Sequence, residues 1–368
     1  MLTGRNRFAP AILLALVSLG VSPFMGLLRD VLFSALGGSA LKVLGGALAL
    51  LGLAVMIATV LSIRDRRAPR YGLLAAVAVL LLIQTFVLGS GHAKVDLVEK
   101  VHIFQYGALA VLLYWALLPA NRIVGPAILG LPLLWATLVG VGEESVQGFF
   151  RFRVADIRDV ALNSIAACCG VFLALALWPP DGWVPSSGER RRLLRWAAVL
   201  VLAVGVFFHT VHVGYLIHDE DIGHFRSWFS QSELESLAEE RAVAWAEEPP
   251  DGRAWHRKDY YLWEAASYAN HRNASYNAGH WTLAWQANRI LERYYGPFLD
   301  LPRFRNAGKH RYGPEVWRQL EGKATPDPAT YLSPVHGDSL YTWPRGLFLA
   351  MVVSLAGGLG AASIRSGP

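Results

Sequence analysis

The chain has 368 residues, of which 54% are hydrophobic and only 17% charged, with a formal net charge of +6. A soluble domain carries about a quarter charged residues, so these figures and a mean hydropathy of +0.33 exclude an ordinary soluble enzyme and point to the bilayer as solvent. The positive balance does not indicate nucleic acid, because residues 218–340 are net acidic and the basic residues elsewhere sit in short loops without a reading motif.

Arg5 and Arg7 precede an apolar run with no small-x-small cleavage site, and Pro23-Phe24-Met25 stands where one would fall. The run reads as an uncleaved first membrane helix. A spanning helix needs roughly 20 largely apolar residues. On that rule the spans are Ala9–Leu28, Leu41–Ile63, Tyr71–Leu88, Val101–Leu118, Ile123–Val141, Asp159–Trp178, Trp196–Ile217 and Leu347–Ile364. Basic residues in short loops set orientation. The clusters Arg64–Arg70 and Arg190–Arg195 place both termini in the cytoplasm and residues 218–340 outside it. Cys168 and Cys169 are the only cysteines, adjacent within a span, and read as packing residues rather than a disulfide.

The outer segment reads as helical. Ser230-Gln231-Ser232-Glu233 has capping-box spacing ahead of a helix that Pro249-Pro250 ends. A second helix is expected from Asp259 to about Asn273 and a third from about Trp281 to Tyr295. This pair resembles one tetratricopeptide-type hairpin, but that architecture needs several stacked units, and a small helical lobe is the simpler reading. The proline-rich stretch from Pro302 to Tyr341 offers little regular structure. The fold class is therefore an all-α polytopic membrane helix bundle of about eight transmembrane helices with an extracytoplasmic α-helical lobe. Its parts are N-terminal spans (1–94), a central membrane domain (95–180), a loop with the seventh span (181–217), the outer domain (218–340) and a last span (341–368).

Three stretches put ionisable groups at span ends. Glu99-Lys100-Val101-His102-Ile103-Phe104-Gln105-Tyr106 opens the fourth span, with His102 and Tyr106 one turn apart on one face. Glu143-Glu144-Ser145-Val146-Gln147 closes the fifth, and Glu143 shares a face with Gln147. At the start of the sixth, Asp156, Asp159 and Asn163 follow Arg153 at helical spacing. All three stretches meet the outer interface on this topology. Charged groups in a span are costly and gather around wet recesses, so Lys100, His102, Tyr106, Glu143, Glu144, Gln147, Arg153, Asp156, Asp159 and Asn163 are the expected binding pocket. Taken singly, Asp156 or Asp159 reads as a cap of the sixth helix, and Lys100 as a residue snorkelling to headgroups.

The order Glu-Lys-x-His-x-x-x-Tyr, then Glu-Glu-x-x-Gln, then Arg-x-x-Asp-x-x-Asp-x-x-x-Asn resembles the VanZ-like family of small bacterial membrane proteins over residues 95–176. The family's usual Pro-Gly before the arginine is Arg151-Phe152 here, and Ala166 replaces a usual glycine while Gly170 is kept. The family is named for a protein that raises teicoplanin resistance. The resemblance implies a role at the bacterial cell envelope and supplies no reaction.

The leading expectation is thus an inner-membrane protein whose outward pocket binds a polar or phosphate-bearing headgroup, with membrane lipids, a lipid-linked cell-wall component or a glycopeptide as partner. Arg153 and Lys100 would meet the anion while Asp156, Asp159 and Glu144 hold those cations. The alternatives are a membrane hydrolase or transferase using His102 or Glu144 as general base, and an anchor whose outer domain recruits a protein partner. No catalytic motif, cofactor or metal is expected: His209, His212, His218 and His224 lie near the outer boundary without a zinc-type frame.

Overall fold

The computed structural model describes residues 4–89, 93–148, 155–184, 186–250, 259–301 and 310–365. The chain divides into two compact units. The first contains residues 1–148, 153–207 and 350–368, and the second residues 149–152 and 208–349.

The first unit is a helix bundle. Its helices are α1 (Ala9–Val21), α2 (Met25–Leu36), α3 (Ala40–Ser62), α4 (Arg67–Phe86), α5 (Ala93–Leu117), α6 (Ala127–Gln147), α7 (Ile157–Leu177) and most of α8 (Ser187–His212). Two short strands, β1 (Ile123–Val124) and β2 (Gly182–Trp183), pair in parallel beside the ends of α5 and α7. Among the described residues seven helices are long and apolar enough to cross a membrane, the last being α14 (Arg345–Arg365). The protein is an all-α polytopic membrane helix bundle.

The expected first span, Ala9–Leu28, is corrected. A 3₁₀ turn at Ser22–Phe24 breaks it, because Pro23 cannot continue the helical hydrogen-bond ladder, and α2 starts afresh at Met25. The 13-residue α1 is shorter than the other spans. It still packs on α5 and α6: Arg7, just before it, donates to the Leu118 and Trp115 carbonyls at the end of α5 at 2.8 and 2.9 Å, and Leu19 packs beside Gly142 of α6.

α5, α6 and α7 form the best-packed part of the bundle. Tyr106, Leu109, Ala110, Ala136, Ala166, Ala167 and Val171 share one core with Ala11 of α1. Small residues let the backbones approach where lipid gives no hydrophobic drive. A Cβ on Gly170 would overlap the Gly107 carbonyl, so only glycine permits the α5–α7 crossing at that depth.

Arginines fix the opposite bundle end. Arg70, only 6% exposed, donates from Nε to the Ala176 carbonyl at 2.6 Å and pairs with Asp65 at 2.5 Å. Arg66 donates to the Pro180 carbonyl at 2.7 Å. These side chains satisfy carbonyls that the end of α7 leaves unpaired. Arg66, Arg70 and Arg7 therefore gather at the end of the bundle where α5 and α7 finish.

The second unit begins with the last turn of α8 and contains a strand pair the sequence reading did not anticipate. β3 (Tyr215–Asp219) and β4 (Gly223–Ser227) form an antiparallel hairpin, where the seventh span was expected to continue to Ile217. Alternation explains it: Ile217, Asp219, Phe225 and Ser227 turn inward, Leu216 and His218 outward, and Gly223 takes a φ of 106° beside the turn. Helices α9 (Gln231–Glu247), α10 (Tyr260–Asn277), α11 (Trp281–Tyr294), α12 (Gly296–Leu299) and α13 (Pro314–Lys323) follow. α13 lies in the stretch read as irregular, with Pro314 at its first turn and Glu315 and Lys323 placed to suit the helix dipole. The Ser230–Glu233 capping box is formed in both directions. Phe225, Leu234, Tyr261, Tyr268, Ile290, Leu291, Tyr294, Tyr295 and Phe298 make the core.

Candidate functional site

α6 runs two turns past the expected end at Val141, so Glu143, Glu144 and Gln147 lie within its last turns. They meet the middle of α5 and the start of α7, away from the bundle end that the arginines hold. Glu143 is 1% exposed, and Glu144 and Gln147 are fully buried. The Tyr106 hydroxyl donates to Glu143 Oε2, and Gln105 Nε2 donates to the same oxygen at 3.5 Å. Gln147 Nε2 bridges the two glutamates, donating at 3.2 Å to Glu143 and 3.1 Å to Glu144. The Asp156 backbone N–H closes the group by donating to Glu144 Oε2 at 3.2 Å.

His102 packs on this cluster. Its ring stacks on Tyr106 with centroids 6.1 Å apart, and its Nδ1 stands 3.9 Å from Glu143 Oε1. Asn163, 1% exposed, lies beneath, and its Nδ2 has no hydrogen-bond partner among the described residues. Gly140 makes room for it: a Cβ there would stand 3.3 Å from Asn163 Cβ and Nδ2 and 3.6 Å from Tyr106 Cε1. Burying carboxylates is costly unless hydrogen bonds and opposite charges compensate. Glu143 meets neutral donors and His102, and no Lys or Arg among the described residues.

Other expected pocket residues stand apart. Asp156 caps α7, its carboxylate accepting from the Arg158 N–H at 2.9 Å, while its backbone N–H reaches the cluster. Asp159 lies 3.7 Å from Arg158 Nη1. Lys100 is two residues from His102, about 200° round the helix, and lines a cleft against α4 instead. Arg153 falls outside the described residues. The sequence reading passed over Arg158, which pairs with Glu99 through two bonds of 2.6 and 3.0 Å and donates to the Leu88 carbonyl. It thereby clasps α4, α5 and α7 together. Its position between two aspartates was the available signal.

The second unit holds buried polar groups of its own. Glu264 is fully buried and accepts from Tyr295 at 2.6 Å, Ser227 at 2.8 Å and the Trp228 N–H at 2.5 Å. Burial lifts its carboxyl to about 7, against the pull of those bonds. His336 sits among the rings of Trp228, Trp263 and Tyr268, where burial and then Arg226 lower it to about 4. His212 Nδ1 is 2.9 Å from the Ser339 carbonyl oxygen, and His218 faces His224 across the hairpin with ring centroids 4.4 Å apart. Among the described residues no three His, Cys, Asp or Glu side chains are grouped to hold a metal.

Comparison with protein-family models, curated proteins and solved structures returns no match to this chain.

Proposed function

We propose that the chain is a VanZ-like protein of the bacterial cell membrane whose polar cluster at the extracytoplasmic end of α5–α7 binds the polar or phosphate-bearing headgroup of an envelope component. The observation that carries this reading is the meeting of Tyr106, Glu143, Glu144, Gln147 and the Asp156 N–H, drawn from three separate segments, in one buried network. Orientation is supported by the arginines. Arg7, Arg66 and Arg70 cluster at the other end of the bundle, which the distribution of basic residues makes cytoplasmic. Both termini then lie in the cytoplasm and residues 218–340 outside it. On this reading Arg153 meets the anion of the headgroup, with the glutamates and Asn163 receiving or giving neutral hydrogen bonds.

The test is binding by the full chain in lipid nanodiscs, using a polyprenyl-phosphate-linked sugar as probe and teicoplanin in a parallel arm. Saturable binding of either probe, lost in Glu143→Gln and Asn163→Leu, is the expected result. Wild-type protein that binds neither would sink the reading. The 3.9 Å approach of His102 to Glu143 favours one second reading, a hydrolase or transferase with His102 as general base oriented by the carboxylate. Turnover of the polyprenyl-linked probe, abolished by His102→Ala, would put that reading first.

A further inference from the structure

The second unit is fastened to two spans with almost no spacer. Two residues, Val213 and Gly214, separate the end of α8 from β3, and α14 opens at Arg345, four residues after Tyr341. The two connections are tied together: the Gly214 N–H donates to the Tyr341 carbonyl at 3.0 Å, and the Tyr341 N–H to the His212 carbonyl at 2.7 Å. α14 carries Arg345 and Arg365 at its ends with no charged residue between them. Its 21 residues span about 31 Å, close to the thickness of a bilayer's hydrocarbon core. Arg345 therefore stands at the edge of the apolar layer, where its guanidinium lies over the Tyr215 ring at 4.9 Å and donates to the Tyr215 hydroxyl at 2.9 Å.

Aromatic rings crowd this level. Phe208, Tyr341, Trp343 and Phe348 form one group with neighbouring centroids 5.4 to 5.9 Å apart, and Tyr341 and Trp343 remain 41% and 49% exposed. A second group comes from parts of the chain remote from any span: Trp228 just after β4, with Tyr260 and Trp263 on the first turn of α10. The Trp228 ring lies 4.7 Å from Trp263 and 5.2 Å from Tyr260, and all three are half-buried. The Trp228 indole donates to the Val211 carbonyl at 2.9 Å, in the last turn of α8, so this group stands level with the first. We infer that the two groups form a seat in the bilayer interface, with the β4–α10 edge of the second unit resting among lipid headgroups and ester carbonyls instead of standing clear of the membrane. Trp and Tyr suit that layer because their rings are apolar while the N–H or O–H stays wet. The exposed rings continue into the first turn of α14, where Leu347 is 69% exposed, so the solvent that covers the span covers them too. A soluble glycan or protein would need this level free of lipid, and the Val211 bond holds Trp228 within it. The seat uses no residue of the glutamate cluster and holds on whichever side of the membrane the second unit stands.

The experiment uses the full chain in lipid nanodiscs. In a background of Cys168→Ala and Cys169→Ala, the variants Trp343→Cys, Trp263→Cys and Glu321→Cys are each labelled with an environment-sensitive fluorophore. Each is exposed to lipids carrying a nitroxide at the headgroup and, separately, to iodide in water. Glu321 is the aqueous reference, exposed on α13. Tyr276, about 20 Å along α10 from Trp263, ties that helix through a 2.9 Å bond to Gln319. The labels at positions 343 and 263 should lose most of their emission to the nitroxide lipid and little to iodide, and the label at 321 the reverse. Trp263→Phe covers the case in which cysteine disturbs α10. It keeps a ring in place, and wild-type emission minus that of the variant isolates this indole among the 13 tryptophans. Lipids brominated near the headgroup should quench that difference signal. Quenching at 263 by iodide and not by lipid overturns the inference, even where 343 is quenched by lipid, since only an ordinary anchor at the start of α14 would remain. Protection of 263 from both quenchers overturns it in favour of a protein cover, such as a second copy of the chain.

Discussion

Glu143→Ala is expected to destabilise the α5–α7 packing by about 3 kcal/mol, because the Tyr106 hydroxyl and part of the Gln147 amide are left buried without an acceptor at about 1–3 kcal/mol each. Glu143→Gln keeps a carbonyl for Tyr106 and lets the Gln147 amide turn, so its cost is expected below about 1.5 kcal/mol. The pair separates shape from charge. The unfolding midpoint in detergent reads stability, and headgroup binding reads function. A conservative variant that is stable and unable to bind would place the carboxylate charge in the binding event. An alanine variant as stable as the wild type would show that the network is not formed.

In the second unit two buried groups are expected to shape stability against pH in opposite directions. Glu264 in the folded chain keeps its proton up to about 7, whereas an ordinary glutamate releases it near 4.5. Its contribution is most favourable below pH 4.5 and is lost as pH rises to 7, by about 3 kcal/mol. His336 stays neutral in the fold down to about 4, whereas an ordinary histidine takes a proton near 6.5. Its contribution is complete above pH 6.5 and is lost as pH falls to 4, again by about 3 kcal/mol. Between pH 4.5 and 6.5 the two slopes cancel. The variants separate them. Glu264→Gln should leave stability rising from pH 4 to 6.5 and level above, while His336→Phe should leave it falling from pH 4.5 to 7. Hydrogen exchange of the α10 and α11 amides in the full chain measures both. Identical pH profiles for wild type and Glu264→Gln would contradict the assignment.

The fold class was legible because its signals are local. Apolar length marks a span, and Ser230-Gln231-Ser232-Glu233 marks a helix start whose two reciprocal bonds both form. The break at Ser22–Phe24 was also written in the sequence, as a proline within the run. The β3–β4 hairpin was masked by the apolar residues that join it to α8, where a period of two over a few residues is outweighed by span length. Helical spacing was the overlooked signal for Lys100, which was grouped with His102 although residues two apart cannot share a face. What spacing could not reveal is which groups become buried. Glu143 and Glu144 are neighbours, and both are enclosed because α5 supplies Tyr106 and a loop supplies the Asp156 N–H from elsewhere in the chain.

A double-mutant cycle between Tyr106→Phe on α5 and Glu143→Ala on α6 addresses the convergence of the polar stretches most directly. A coupling of about 1 kcal/mol in unfolding free energy is expected, because each change removes the same hydrogen bond. The control cycle of Tyr106→Phe with Asp159→Asn, which lies on the Arg158 side, should be additive. Additivity in both cycles would mean that α5 and α6 do not share a polar network, and the proposed site would not exist.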